Sequence, residues 1–251
     1  MTEARLPVGL PTMQRDDSGG CMGELPDDVR RTCAQMLGAA RTWLLAMPAD
    51  EAIRLARERL ADACVVEVLG PSPVSCPDIR AMGREARQQG RPLVADMTVP
   101  GVVGCAAVRL GAHLAIAPAG GNACVAGVSR DVQRYTPGLT DALEGLSSAD
   151  PVDGDAVRTA LELQRVAWHA TSDAAQVVAS YLRCHPRVAG LRYPGLRGDP
   201  SFEVAARTLT GGFGPVVDVL LAGESDWRRV TCDADDPRGQ VLVLEAMLAE
   251  T

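Results

Sequence analysis

The sequence predicts an α/β protein with a mostly parallel sheet covered by helices, followed by a short α+β C-terminal subdomain. In the first half of the chain, short apolar runs typical of buried strands alternate with amphipathic segments typical of helices. The 251 residues, 47% of them hydrophobic, are enough to bury a sizeable core. This alternation favours a sheet whose neighbouring strands are joined through helices.

The elements of the first half follow a loop-like start over residues 6–28. Helices are predicted at 29–39, 51–60, 78–89 and 102–110, and strands at 41–47, 63–69, 92–95 and 113–117. Asp78 is placed to cap the third helix, and Gly90 to end it. A proline-rich loop with Pro71, Pro73 and Pro77 precedes that helix.

The second half is less regular. Residues 138–155 are rich in Gly, Pro, Ser and Asp and are predicted to link two units. A long helix is predicted at 156–181, with strands at 188–192 and 216–221. The chain is therefore predicted to divide into a large domain (1–140), a linker (141–155) and a small α+β subdomain (156–251).

Composition excludes several classes of function. The net charge of −7, with scattered arginines, argues against a nucleic-acid or anionic-membrane partner. No leader-like segment and no membrane-spanning apolar run is found in the sequence, so a cytoplasmic location is expected. The eight cysteines form no Cys-x-x-Cys pair, so we expect reduced, buried thiols and no metal site.

One polar residue stands where α/β sheets bind ligands. Asp96 directly follows the apolar run Leu93-Val94-Ala95, so its carboxylate is expected at the carboxyl end of a buried parallel strand. Aspartates at strand ends also cap turns, and Asp96 can accept hydrogen bonds from the backbone around Thr98. Spacing alone favours the cap, and both roles stay open at this point.

The residues around Asp96 resemble a known family. The matching features are the strand Val65-Val66, the loop Pro71-Ser72-Pro73, Asp78-Ile79, the strand end Asp96-Met97-Thr98 and the turn Gly111-Ala112-His113. They are similar to the core of the pyridoxal-phosphate enzymes of cysteine and methionine metabolism, the cystathionine γ-synthase, cystathionine γ-lyase and homoserine sulfhydrylase group. Further along, His185-Pro186, Tyr193-Pro194-Gly195-Leu196 and Gly212-Phe213-Gly214 follow the same family's pattern.

The resemblance covers about residues 25–221 and implies the fold of the pyridoxal-phosphate transferases, fold type I, for the sheet domain. It implies three cofactor-binding positions. Asp96 matches the carboxylate that pairs with the pyridine nitrogen, and Thr98 ends the same motif. Ser72 stands where the family has an Asn against the cofactor's phenolic oxygen.

The chain departs from the family at the position that matters most for catalysis. The family's lysine, which holds the cofactor aldehyde as an imine, falls on Gly121, and the preceding Ser and Thr fall on Pro118 and Gly120. The ring-stacking Tyr falls on Pro26. The chain contains no lysine at all, so no other residue can replace it. Pyridoxal phosphate, if held, is therefore expected not to be bound covalently.

Three hypotheses of function follow. The first is a degenerate, non-catalytic homologue that acts as a binding or partner subunit, in a homo-oligomer or in a hetero-oligomer with an active paralogue. The second is a residual enzyme of sulfur amino-acid metabolism, a C–S lyase or transferase that holds pyridoxal phosphate without a lysine. The third is a decayed gene product with no selected activity, whose runs at 117–121 and 210–215 would be poorly ordered.

Overall fold

The larger sheet has five strands. The computed structural model describes residues 27–60, 62–149, 152–234 and 236–249. The strands are β1 (Arg41–Leu45), β2 (Cys64–Glu67), β3 (Leu93–Asp96), β4 (Leu114–Gly120) and β5 (Ala123–Val128). Their order is β1-β5-β4-β3-β2, with β2, β3 and β4 parallel and β5 antiparallel to both β4 and β1. Four of the five strands therefore point the same way, which confirms the mostly parallel sheet.

Helices cover both faces of this sheet. They are α1 (Asp27–Leu37), α2 (Ala49–Arg59), α3 (Ile79–Gln88), α4 (Ala107–Leu110), α5 (Leu139–Ala149) and α6 (Gly154–Leu182). Leu93 and Ala95 of β3 pack in the hydrophobic cluster that contains residues of α1, α3, α4 and α6. Val94 packs in the opposite cluster, with residues of α2. The alternation arises because successive side chains of a strand point to opposite faces.

A smaller antiparallel sheet follows in the C-terminal part. Its strands, in the order β6-β7-β8, are β6 (Val188–Arg192), β7 (Val216–Leu221) and β8 (Arg228–Thr231), accompanied by α7 (Phe202–Thr208) and α8 (Pro237–Ala249). Helix α6 packs against both sheets. Leu161 lies in a hydrophobic cluster of the large sheet, and Val178 lies in the hydrophobic cluster of the small sheet. Within the described ranges, no helix is both long and apolar enough to cross a membrane.

Most of the predicted elements are confirmed. The strand predicted at 188–192 and the strand predicted at 216–221 have those bounds, and the long helix extends by two residues at its start and one at its end. Asp78 caps α3 as expected, because its Oδ1 accepts a hydrogen bond from Ala81 N at 3.0 Å. Gly90 follows the helix with φ +68, a backbone conformation that glycine adopts readily.

One prediction of local structure was wrong. The helix predicted at 102–110 covers only Ala107–Leu110, because Cys105 instead forms an isolated antiparallel bridge with Leu209 and Gly104 O accepts a hydrogen bond from Thr210 N at 2.9 Å. The segment predicted as a linker contains α5, whose Leu143 is buried in the cluster that includes Trp43. Apolar packing therefore outweighs the Gly and Ser content there. The division at 140 and 155 stays a prediction.

Candidate functional site

Asp96 ends β3 at the carboxyl edge of the large sheet, beside Glu67 at the end of β2. Asp96 Oδ1 accepts a hydrogen bond from Thr98 N at 2.9 Å and another from Thr98 Oγ1 at 2.6 Å. The turn cap that the spacing favours is therefore present. A carboxylate can accept further hydrogen bonds at its second oxygen, so the cap does not exhaust the capacity of Asp96 to bind a ligand.

A cleft of about 390 Å³ opens at this edge of the sheet. Its polar and charged lining residues are Asp50, Arg54 and Arg57 from α2, Glu67 from β2, and Asp96 and Thr98 from β3 and the turn after it. Parallel strands bring their carboxyl ends to one edge, which is where ligands of open α/β sheets bind. The cleft is therefore the candidate ligand site of this chain.

The charges of the cleft are mixed. Arg57 Nη2 lies 2.9 Å from Glu67 Oε1, and Arg54 Nη1 lies 2.8 Å from Glu58 Oε1, so both guanidinium groups already have carboxylate partners. The first turn of α2, where the helix dipole would otherwise favour an anion, carries Asp50. A phosphate group would meet three carboxylates here. The lining suits an anionic group poorly.

Ser72 lies outside this cleft. It is exposed in the loop between β2 and α3, next to a cis peptide bond to Pro73. Of that loop, Val68 and Gly70 are among the described lining residues of the cleft. The structure thus brings two of the three predicted cofactor-binding residues together, Asp96 and Thr98, and does not bring Ser72 to them. Pro26 lies outside the described residues.

Gly121, where the resemblance predicts the family's lysine position, lies in a tight turn. Gly120 pairs with Ala123, and Gly121 and Asn122 form the two-residue connection between β4 and β5. Gly121 has φ +55, and the space where its Cβ would be is open. Gly120 has φ +104, and a Cβ added there would lie 2.3 Å from Ala160 Cβ of α6. The turn therefore requires glycine at position 120, which leaves no room for the family's Thr.

Sequence reasoning missed the part of the site that α2 contributes. Arg54 and Arg57 reach the cleft from a helix that was predicted, but nothing in the local pattern separated them from a solvated helix face. Glu67 could have been found, because it follows the apolar residues of β2 in the same way that Asp96 follows those of β3. Among the residues that the structure describes, no three His, Cys, Asp or Glu side chains are placed so that they could hold a metal ion.

The fold and the position of the cleft define an α/β protein of fold type I, the fold of the pyridoxal-phosphate transferases. A family model described as Cys/Met metabolism PLP-dependent enzyme matches residues 46–234, which is more than half of the chain. The chain therefore belongs to the pyridoxal-phosphate-dependent enzyme family of cysteine and methionine metabolism.

Solved structures of this fold are similar at low sequence identity. Apo CalE6, a methionine γ-lyase from Micromonospora echinospora, has a TM-score of 0.70 at 16% identity, over 89% of this chain and 87% of that one. Cystathionine γ-lyase from Lactobacillus plantarum has 0.65 at 16%, over 86% and 73%. Cystathionine γ-synthase from Xanthomonas oryzae pv. oryzae has 0.64 at 17%, over 78% of this chain. The chain spans 65% of that synthase, slightly less than two thirds.

The residues present do not fit covalently held pyridoxal phosphate. The imine is formed by a lysine amine, and this sequence contains no lysine. The turn at 118–121 offers no side-chain hydroxyl to a phosphate, and the cleft beside Asp96 is lined by three carboxylates. Of the three predicted cofactor-binding residues, Asp96 and Thr98 line the cleft.

Proposed function

We propose that this chain is a non-catalytic member of its family that acts as a binding or partner subunit. The observation that carries the proposal is the absence of lysine from the sequence, and the resemblance assigns the family's lysine position to Gly121 in the β4–β5 turn. Covalent catalysis by pyridoxal phosphate needs an amine that exchanges with the substrate amine and moves protons. The sequence has arginine in place of lysine, and an arginine side chain stays protonated and cannot take that role.

The exposed face of α6 supports a partner role. Leu163 is 62% exposed and Val166 is 67% exposed, and both lie on the side of α6 that faces away from the large sheet. Leu242 and Val243 of α8 are exposed as well. Exposed apolar side chains mark contact surfaces, and a second copy of the chain would offer the same side chains in return. We propose self-association through the exposed apolar side chains of α6, with those of α8 as a separate contact region.

Light scattering of the purified chain tests this association. We expect the mass of a homo-oligomer, and Val166→Glu should shift the mass towards that of the monomer. Arg84→Glu, which changes a charge on the exposed face of α3, should not alter it. A monomer that binds an active family member instead would point to a hetero-oligomer. A monomer that binds neither would contradict the partner role.

The alternative is a residual enzyme that holds pyridoxal phosphate non-covalently, as a C–S lyase or transferase. The observation in its favour is the carboxylate of Asp96, which lines the cleft and matches the residue that pairs with the cofactor's pyridine nitrogen. When bound, the cofactor would supply an electron sink for the substrate's Cα carbanion. Asp96 would hold the pyridine nitrogen in its protonated form.

A titration with pyridoxal phosphate separates the two proposals. The absorbance between about 330 and 430 nm and the thermal midpoint are followed together, since a ligand that binds the folded state raises the midpoint. The non-catalytic proposal expects neither a saturable band nor a raised midpoint. Both signals, if they are lost in Asp96→Ala, would support the residual enzyme.

We also propose a cytoplasmic location, with which the free thiols of the described cysteines are consistent.

A further inference from the structure

An ion pair with a buried carboxylate joins two strands of the small sheet. Asp218 of β7 is fully buried and lies opposite Arg229 of β8. Arg229 Nε donates to Asp218 Oδ1 at 2.9 Å, and Arg229 Nη2 donates to Asp218 Oδ2 at 2.8 Å. This is the two-pronged arrangement in which guanidinium and carboxylate groups bind most strongly. A buried carboxylate needs such compensation.

The same two side chains also bind the backbone of a distant loop. Arg229 Nη1 donates to Gly70 O at 2.6 Å, and Arg229 Nη2 donates to Pro71 O. Asp218 Oδ2 accepts a hydrogen bond from Val74 N at 2.5 Å. Three backbone groups of residues 70–74, which we call the proline-rich loop, are therefore held by one ion pair of the small sheet.

The proline-rich loop has little else to hold its backbone. Across residues 70–74, the described structure contains no hydrogen bond from one backbone group to another. Pro71 and Pro73 lack a backbone N–H group, so fewer donors are available for the hydrogen bonds of a strand pairing or a turn. The loop nevertheless forms part of the candidate site, because Gly70 lines the cleft next to Glu67 and Val68. Its position must come from the side chains that bind it.

We infer that Arg229 is a positioning residue for the cleft. Together with Asp218 it fixes the proline-rich loop, so the small C-terminal sheet determines the shape of the cleft wall at Gly70. Loss of Arg229 would leave the Asp218 carboxylate buried without its cation and would release the carbonyl groups of Gly70 and Pro71. This inference does not depend on what the cleft binds, and it holds whether or not the chain is catalytic.

Hydrogen exchange of the full chain, read by mass spectrometry, tests the inference. In Arg229→Lys, which keeps the charge but cannot reproduce the fork geometry, the amides of residues 70–76 should exchange about tenfold faster. The amides of β3 should keep their wild-type rates. The matched control is Arg228→Ala, because the neighbouring Arg228 is more exposed and binds Glu224 instead of the loop.

Two results would overturn the inference. One is an unchanged rate in the loop of a folded Arg229→Lys variant. The other is an equal acceleration in Arg228→Ala, which would mean that loosening of β8, and not loss of the ion pair, releases the loop. Arg229→Ala extends the series. In a folded Arg229→Ala variant, the amides of the loop should exchange faster than in Arg229→Lys.

Discussion

The backbone N–H of Leu93 donates a hydrogen bond of 2.9 Å to Nδ1 of the fully buried His113. The backbone N–H of His113 in turn donates to Leu93 O at 2.8 Å, so two hydrogen bonds join the start of β3 to the start of β4. Because Nδ1 accepts, the imidazole is neutral and carries its proton on Nε2, a buried atom without a hydrogen-bond partner in the described structure. Burial, followed by the nearby charge of Arg87, lowers the pKa of His113, although Asp131 opposes the shift.

We therefore expect the free energy of unfolding to fall as the pH falls from about 7.5 to about 5. The unfolded imidazole, with a pKa of about 6.5, binds a proton that the folded one does not, so this contribution to stability is present above pH 6.5 and is lost as the pH falls through the lowered folded pKa. Urea unfolding across this pH range measures the slope of the free energy of unfolding against pH. His113→Asn, which retains an acceptor for Leu93 N, should flatten it, and the exposed His169→Asn should not. An unchanged slope in His113→Asn would contradict the assignment.

Two neighbouring glycines should respond differently to alanine. At Gly120, with φ +104, the new Cβ would meet Ala160 Cβ at 2.3 Å, so Gly120→Ala should destabilise the fold by about 3 kcal/mol. At Gly121, with φ +55 and open space, Gly121→Ala should cost about 1 kcal/mol. Chemical unfolding of both variants measures the difference. Equal costs would show that α6 does not pack against the β4–β5 turn as described.

Helix α3 should depend on its cap more than on its ion pair. Asp78 accepts the Ala81 N–H and lies 2.8 Å from Arg207, and the cap followed by this cation lowers the pKa of Asp78 against the opposing effect of burial. Asp78→Ala should cost about 1 kcal/mol, whereas Asp78→Asn, which can still cap, should cost less than half as much because Arg207 is largely exposed. Thermal unfolding at pH 7 compares the two. If Asp78→Asn lost as much stability as Asp78→Ala, the ion pair would have the main role.

Thiol reactivity should follow burial. Burial raises the pKa of Cys76, Cys105 and Cys124 to about 12, which keeps these thiols protonated and slow to react at neutral pH. Cys184 is exposed. A chromogenic disulfide reagent should therefore show a rapid phase in the native protein that Cys184→Ser reduces by one thiol. Rapid loss of a buried thiol instead would indicate local opening of the core.

The sequence was most informative where local pattern and packing agree. The apolar runs at β3 and β4 predicted buried strands, and Asp78 and Gly90 predicted the limits of α3, because burial, capping and glycine geometry act over a few residues. The prediction of Asp96 at the carboxyl edge rested on the same local reasoning. The turn at 120–123 was not predicted to be a hairpin, although Gly120 and Gly121 supply the positive φ angles on which it depends.

Long-range relationships could not be predicted from local pattern. The Arg229 side chain binds backbone groups about 160 residues earlier in the chain, and no spacing rule connects β8 to the proline-rich loop. Arg54 and Arg57 enter the cleft from α2, whose buried face packs in the same hydrophobic cluster as Val94 of β3. The resemblance to the family identified Asp96 and the missing lysine, but it did not place Ser72, which the structure shows outside the cleft.

The most direct test of the central claim is an elimination assay with pyridoxal phosphate supplied in excess. Purified chain is incubated with cysteine, cystathionine or an O-acyl homoserine, and the release of 2-oxo acid is compared with that of the free cofactor alone. We expect no release above that background, because the sequence has no lysine to exchange with the substrate amine and to move protons. Saturable release that exceeds the background and disappears in Asp96→Ala would contradict the account and show that the site has remained catalytic without its lysine.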